Sequence, residues 1–223
     1  MNRNILEVDS VQKSYNDKLV VSDVYLKCQT NDIIGLLGRN GSGKSTLLKI
    51  IFGIVPTDNK FIRINGVVMS NTNQLLKGIS YLHQENFIPN HFSVKKAIYL
   101  SLNKEKLFDF CSDEMIQSVL NKRISHLSGG ESRYLEIKLV LSNPSKFVLL
   151  DEPYNGLSPL MVEKVNQLIL NNVSQKGIII TDHNYENVIK ISTELMLMKD
   201  GKVYHLKNKE ELVEKGYLNG GMI

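Results

Sequence analysis

The sequence predicts an α/β protein with a mostly parallel sheet, an N-terminal antiparallel β subdomain and a small helical subdomain. Three observations carry this. From Gly129 onward, helical stretches alternate with the short apolar runs KFVLL, GIIIT and ELMLM, the pattern of parallel strands joined by crossover helices. The first 84 residues are instead dominated by β-rich runs broken by polar or Gly-containing turns. Residues 85–127 change character and read as helix. A chain of 223 residues accommodates one domain with such an insert, so the core comprises 1–84 and 128–223.

In chain order, ILEVDSV, LVVSDVYLKCQ, DIIGLLG, FIRINGVVM and GISYLHQ read as strands. One helix interrupts them, starting at Lys44 and stopping near Gly53 and Pro56. In the middle, Ser93–Leu102 and Asp113–Asn121 read as helices, with Pro89 in the loop before them. Asp200-Gly201 between ELMLMK and KVYHL is a hairpin signal, and Gly220-Gly221 reads as a frayed tail.

Hydrophobic content of 42% and charged content of 22% are ordinary for a globular domain. The net charge of +4 is weak and its Lys and Arg are scattered, which gives no support to direct nucleic-acid binding. Two cysteines, Cys28 and Cys111, cannot build a disulfide framework and are expected to be reduced. No apolar run approaches the roughly 18 residues that span a bilayer, and MNRNILEVDS lacks the apolar stretch of a signal peptide. The expected location is cytoplasmic, with membrane contact only through a partner.

GRNGSGKS, from Gly38 to Ser45, fits G-x-x-x-x-G-K-[ST]. It follows a strand and precedes a helix, the context a P-loop requires, so the core is expected to be that of a P-loop NTPase. Gly38, Gly41 and Gly43 let backbone amides wrap phosphates. Lys44 would neutralise the β and γ phosphate groups, and Ser45 would ligate Mg²⁺. FVLLDE adds the other half: an apolar run read as a buried strand, with Asp151 at its end to hold Mg²⁺ and Glu152 to deprotonate the attacking water.

LSGGE, from Leu127 to Glu131, begins a helix in an unusual way. Ser128 and Glu131 form the spacing of a capping box. Yet Gly129 and Gly130 fill the first turn, where each costs about 1 kcal/mol relative to alanine. Glycine permits another group to approach the backbone closely, and a helix N-terminus is a ready anion site.

With GRNGSGKST, a glutamine after YLH, LSGGE, FVLLDEP and the histidine of TDH in that order, the chain resembles the ATP-binding cassette (ABC) ATPases over nearly its whole length. The resemblance implies two cassettes packed head to tail, a homodimer in the simplest case, each P-loop facing the partner's signature. Ser128, Gly129, Gly130 and Glu131 would then meet ATP held by the other subunit. It also implies that Gly38, Asn40, Gly41, Ser42, Gly43, Lys44, Ser45 and Thr46 bind the phosphates. Tyr15 would stack on adenine, although a plain strand-end tyrosine reads the same way. Gln84 would reach the metal and the water, and His183 the γ-phosphate; His83 and His126 read as structural. The family usually has aspartate after the glycine-leucine pair, whereas here Ser158 stands before Pro159. The helix start is kept, a negative charge is lost, and communication between the two sites is put in question.

The resemblance implies an ATPase subunit that drives a separate transmembrane permease, peripheral on the cytoplasmic membrane face. Phe87, Ile88, Pro89 and Phe92 are candidates to line a docking groove, or to form local core. TDHN and DEP-x-x-GL-x-P are similar to the ATPases of lipopolysaccharide export and branched-chain amino-acid uptake. The competing readings are a soluble ABC ATPase acting on ribosomes or DNA, which usually carries longer inserts or two cassettes, and a weakly hydrolysing partner in a heterodimer.

Overall fold

The computed structural model describes residues 3–16 and 18–218; the Gly220-Gly221 tail lies outside them. Two sheets carry the fold. The first is antiparallel, in the order β2-β1-β4-β5, formed by β1 (Ile5–Tyr15), β2 (Lys18–Gln29), β4 (Asn59–Ile64) and β5 (Val67–Val68). The second has six strands in the order β10-β9-β3-β8-β7-β6. Its members are β3 (Ile33–Leu37), β6 (Ile79–Leu82), β7 (Phe147–Asp151), β8 (Gly177–Thr181), β9 (Glu194–Lys199) and β10 (Lys202–Leu206). All its pairings are parallel except β9 with β10. The expected mostly parallel sheet with an antiparallel N-terminal part is therefore what forms.

Alternation along β3 explains how layers stack on this sheet. Ile33 and Leu37 face one core, with Leu135 of α6 (Gly129–Ser142), Val165 of α7 (Pro159–Val173) and Val188 of α8 (Tyr185–Ile191). Ile34 and Leu36 face a second core, with Leu47, Leu48 and Ile51 of α1 (Lys44–Phe52) and Leu6, Val8 and Leu26 of the antiparallel sheet. Helix α1 is thus clamped between two sheets, which fixes the loop before it. The β9–β10 turn places Asp200 at φ 51° and Gly201 at φ 76°, the left-handed pair a tight hairpin needs. The Gly201 carbonyl accepts from the Ser22 amide at 2.8 Å and ties the sheets together.

The insert holds α3 (Val94–Ser101), α4 (Lys104–Cys111) and α5 (Glu114–Val119). The expected helices at 93–102 and 113–121 are present, but α4 was not expected. Among its residues only Phe110 is buried and Phe108 is 82% exposed, so it carries no clear apolar stripe. Another unexpected helix, α2 (Thr72–Gly78), starts at Asn71, whose side chain accepts from the Gln74 amide at 3.0 Å. It buries only Leu75 and is too short to show a period. A last short helix, α9 (Glu211–Glu214), follows β10. Both cysteines are free, Cys28 being buried. Among the described residues no helix is long and apolar enough to cross a membrane.

Candidate active site

The loop of residues 38–43 joins β3 to α1 with Gly38, Gly41 and Gly43 all at positive φ. Gly43, at φ 106°, would place a Cβ 2.7 Å from the Val20 carbonyl, so only glycine fits there. It is also the N-cap of α1 and supplies no side-chain cap, which leaves the first-turn amides for an anion. Lys44 is buried and its Nζ donates to the Gly38 and Arg39 carbonyls at 2.7 and 3.1 Å. Burial holds its pKa below the usual lysine value, against the pull of Glu152 and Asp151.

β7 delivers the carboxylates, buried along its whole length as the apolar run predicts. Asp151 Oδ1 accepts from Ser45 Oγ at 2.8 Å and its Oδ2 from the Tyr81 hydroxyl at 2.8 Å. Burial, followed by the neighbouring Asp151 charge, pushes the Tyr81 phenol far above its ordinary pKa, so it remains a donor. Glu152 turns the chain at φ 50°, a left-handed conformation that is uncommon outside glycine. Its amide donates to the Thr181 carbonyl at 2.8 Å. Its carboxylate takes Gln84 Nε2 on one oxygen and His183 Nε2 on the other, both at 2.7 Å.

A cavity of about 460 Å³ is lined by Tyr15, Asn40, Lys44, Ser45, Gln84, Glu152 and His183, with Gly41, Gly43, Thr46 and Val20. The Gly-rich loop, Gln84, His183, Glu152 and the aromatic Tyr15 therefore converge. Tyr15 is 47% exposed at its rim, with Lys13 Nζ 5.0 Å from the ring centroid. Gln84 is joined to Glu152 rather than to Asp151. The site suits a nucleotide triphosphate with a hard cation: a buried ammonium, free helix amides, and a hydroxyl beside a carboxylate.

Ser128, Gly129 and Gly130 do not line this cavity. They start α6 with a complete capping box: Ser128 Oγ accepts from the Glu131 amide at 3.2 Å, and Glu131 Oε2 from the Ser128 amide at 2.7 Å. Lys122 pairs with Glu131 at 3.0 Å. Among the described residues nothing lies within 4 Å of where a Gly129 Cβ would be, so no contact with them requires that glycine.

A sequence profile of the ABC transporter family matches residues 21–155. The chain belongs to the ABC transporter family. Curated relatives include the lipopolysaccharide export system ATP-binding protein LptB of Haemophilus influenzae, 32% identical over 94% of this chain and 93% of that protein. LptB of Escherichia coli is 32% identical over 88% of this chain and 87% of its own. A putative ribose/galactose/methyl galactoside import ATP-binding protein of Pseudomonas syringae is 30% identical over 93% of this chain and 43% of that protein. Among solved structures, the ATP-binding subunit of an ABC transporter superposes with TM-score 0.84 at 20% identity, covering 96% of this chain and 94% of that one. As a member of this family the chain is an ATP-binding, ATP-hydrolysing transporter subunit.

Four side chains in this ABC site escaped the sequence reading. Tyr81 holds Asp151, and Asp182 accepts from the Tyr154 and Asn184 amides at 2.8 and 2.9 Å, tying the turn after Glu152 to the one that carries His183. Burial raises the Asp182 pKa. Arg133 and Glu136 lie buried on α6. Tyr81 and Asp182 lie within YLH and TDH but beside the residues those motifs point to, and Arg133 and Glu136 stand in no motif. Of the groove candidates, Ile88 is core and Phe92 packs against core, leaving Phe87, 46% exposed, and Pro89, also exposed, on the surface.

Proposed function

We propose that the chain is a Mg²⁺-dependent ATPase that works as a head-to-tail dimer and drives a separate membrane permease. The observation that carries the reading is the convergence of Lys44, Ser45, Gln84, Glu152 and His183 on one cavity. Glu152 is the general base: buried, and aimed by donors on both carboxylate oxygens, it takes the proton of the attacking water. Lys44 and the loop amides hold the phosphates, Tyr15 the adenine, and His183 the terminal phosphate. Ser45 and Asp151 would hold Mg²⁺, whose charge would offset that developing on the phosphate oxygens. Gln84 would sense the metal and water from the edge of the helical subdomain, residues 85–127.

The dimer reading draws on the open space at Gly129, which a γ-phosphate bound to the other subunit would fill beside the α6 N-terminus. For the permease, a cavity of about 530 Å³ lies beside Phe87, Leu76, Ile54 and Tyr81. Its apolar lining would offer a packing surface to a short apolar helix from the membrane partner. Association with the cytoplasmic membrane face would follow from that contact alone. The curated relatives include both export and import subunits, so the motor function is what they share.

The test is affinity purification from detergent-solubilised membranes with Glu152→Gln protein and ATP-Mg²⁺. A multi-span membrane protein in stoichiometric yield is the expected result. Ribosomal or DNA-bound proteins, or the chain alone, would overturn the permease reading.

A further inference from the structure

Two buried charged side chains have no part in the roles above. Arg133 and Glu136 sit one turn apart on α6, 3% and 0% exposed. Arg133 Nη2 donates to the Asp151 and Glu152 carbonyls, both at 2.9 Å, and Nη1 to the His83 carbonyl at 2.7 Å. Nη1 also stands 3.6 Å from Glu136 Oε2. Glu136 Oε1 in turn accepts from the Phe87 and Ile88 amides at 2.8 and 3.2 Å. Desolvating two ions is costly, and apolar residues would pack α6 against the sheet as well.

What the pair holds is specific. Gln84 lies on a segment gripped at both ends, at His83 by Arg133 and at Phe87 by Glu136. The Gln84 side chain reaches Glu152, whose own carbonyl is gripped by the same guanidinium. We propose that Arg133 is a positioning residue for hydrolysis. With Glu136 it forms a rigid link that keeps the backbone of residues 83–88 in register with the Asp151-Glu152 peptide. The unusual φ of Glu152 makes this link matter: a left-handed non-glycine residue persists only where its surroundings over-determine it. Arg133 on the carbonyl and Thr181 on the amide supply that constraint. A shift of the Phe87-Ile88 backbone would move Glu136, then Arg133, then the peptide that aims the Glu152 carboxylate.

The proposal rests on Glu152 being the base, and the test separates the two. Single-turnover hydrolysis and ATP affinity are measured for Glu152→Gln, Arg133→Lys and the charge-neutral pair Arg133→Met/Glu136→Gln, which leaves no unpaired buried ion to unfold the chain. Both Arg133 variants are expected to lose roughly ten- to hundredfold in rate, the scale of a misplaced catalytic group. Their ATP affinity should stay within about twofold of native, because the phosphate loop is untouched. Adding Arg133→Lys to Glu152→Gln should slow hydrolysis no further. Native rates in both Arg133 variants with an inactive Glu152→Gln would overturn the positioning role alone. An ATP affinity falling in step with the rate would reduce the pair to packing. Normal hydrolysis by Glu152→Gln would remove the base and the proposal together.

Discussion

His183 Nε2 lies 2.7 Å from Glu152 Oε1, and Gln84 Nε2 lies 2.7 Å from the other oxygen of the same carboxylate. The Glu152 carboxylate is thus held from both sides by residues that line the same cavity. It sits where neither the glutamine nor the histidine can move without changing its aim.

Glu152→Gln preserves the shape and both neighbours but cannot accept a proton from water. Hydrolysis should fall by about 10²–10⁴-fold, the usual worth of a general base, while ATP binding stays close to native. Phosphate release and equilibrium ATP binding on the same preparation check this. Near-native turnover would dismiss Glu152 as the base.

Tyr81→Phe removes the donor to Asp151 Oδ2 without changing ring packing against Phe52, 5.3 Å away between centroids. Asp151 is fully buried, so the freed oxygen stays desolvated. The expected loss of stability is about 1–3 kcal/mol. Denaturant titrations of native and variant protein measure it; equal midpoints would mean that the oxygen finds another donor.

The site was legible in the sequence to the extent that its chemistry sits in short, ordered motifs. Gly38–Thr46, Asp151-Glu152, Gln84 and His183 each follow a strand, and parallel strands deliver their C-terminal ends to one edge. The residues that hold these groups were not legible. Tyr81 reads as an ordinary strand aromatic, and its partner is 70 residues away. Arg133 and Glu136 lie on a helix where Ser132 through Ile137 are all buried, so no amphipathic period marks a charge as internal. Helices α2 and α4 were missed for a related reason: each buries one residue, and helical pattern is read from several.

Lys176, which does not line the cavity of Lys44 and Glu152, gives a pH signature of its own. Its Nζ donates to the Asn143 and Ser145 carbonyls at 2.7 and 2.6 Å. Burial first, then the Lys106 and Lys146 charges, lower its pKa to about 8. The unfolded chain keeps a lysine near its ordinary value, so between the two it binds more protons than the native state, and stability rises with pH. The cost of charging Lys176 is fully present below pH 8 and is relieved as pH rises towards 10. Native protein should therefore gain on the order of 1–3 kcal/mol relative to Lys176→Met between pH 7.5 and 10. Paired denaturation curves at the two pH values read this difference; a constant gap would mean that Lys176 titrates normally.

Ser158 caps α7, accepting from the Met161 amide at 3.4 Å, with Pro159 at the first helical position. Aspartate caps a helix as well as serine and adds a negative charge at the positive end of the helix dipole. Ser158→Asp should therefore leave the fold intact, within about 0.5 kcal/mol of native stability. In the head-to-tail dimer proposed above, the added charge would act between the two cassettes. The Hill coefficient for ATP should change more than the single-turnover rate at saturating nucleotide. Parallel steady-state and single-turnover assays distinguish the two, and an unchanged Hill coefficient would mean that serine at this position costs the dimer nothing.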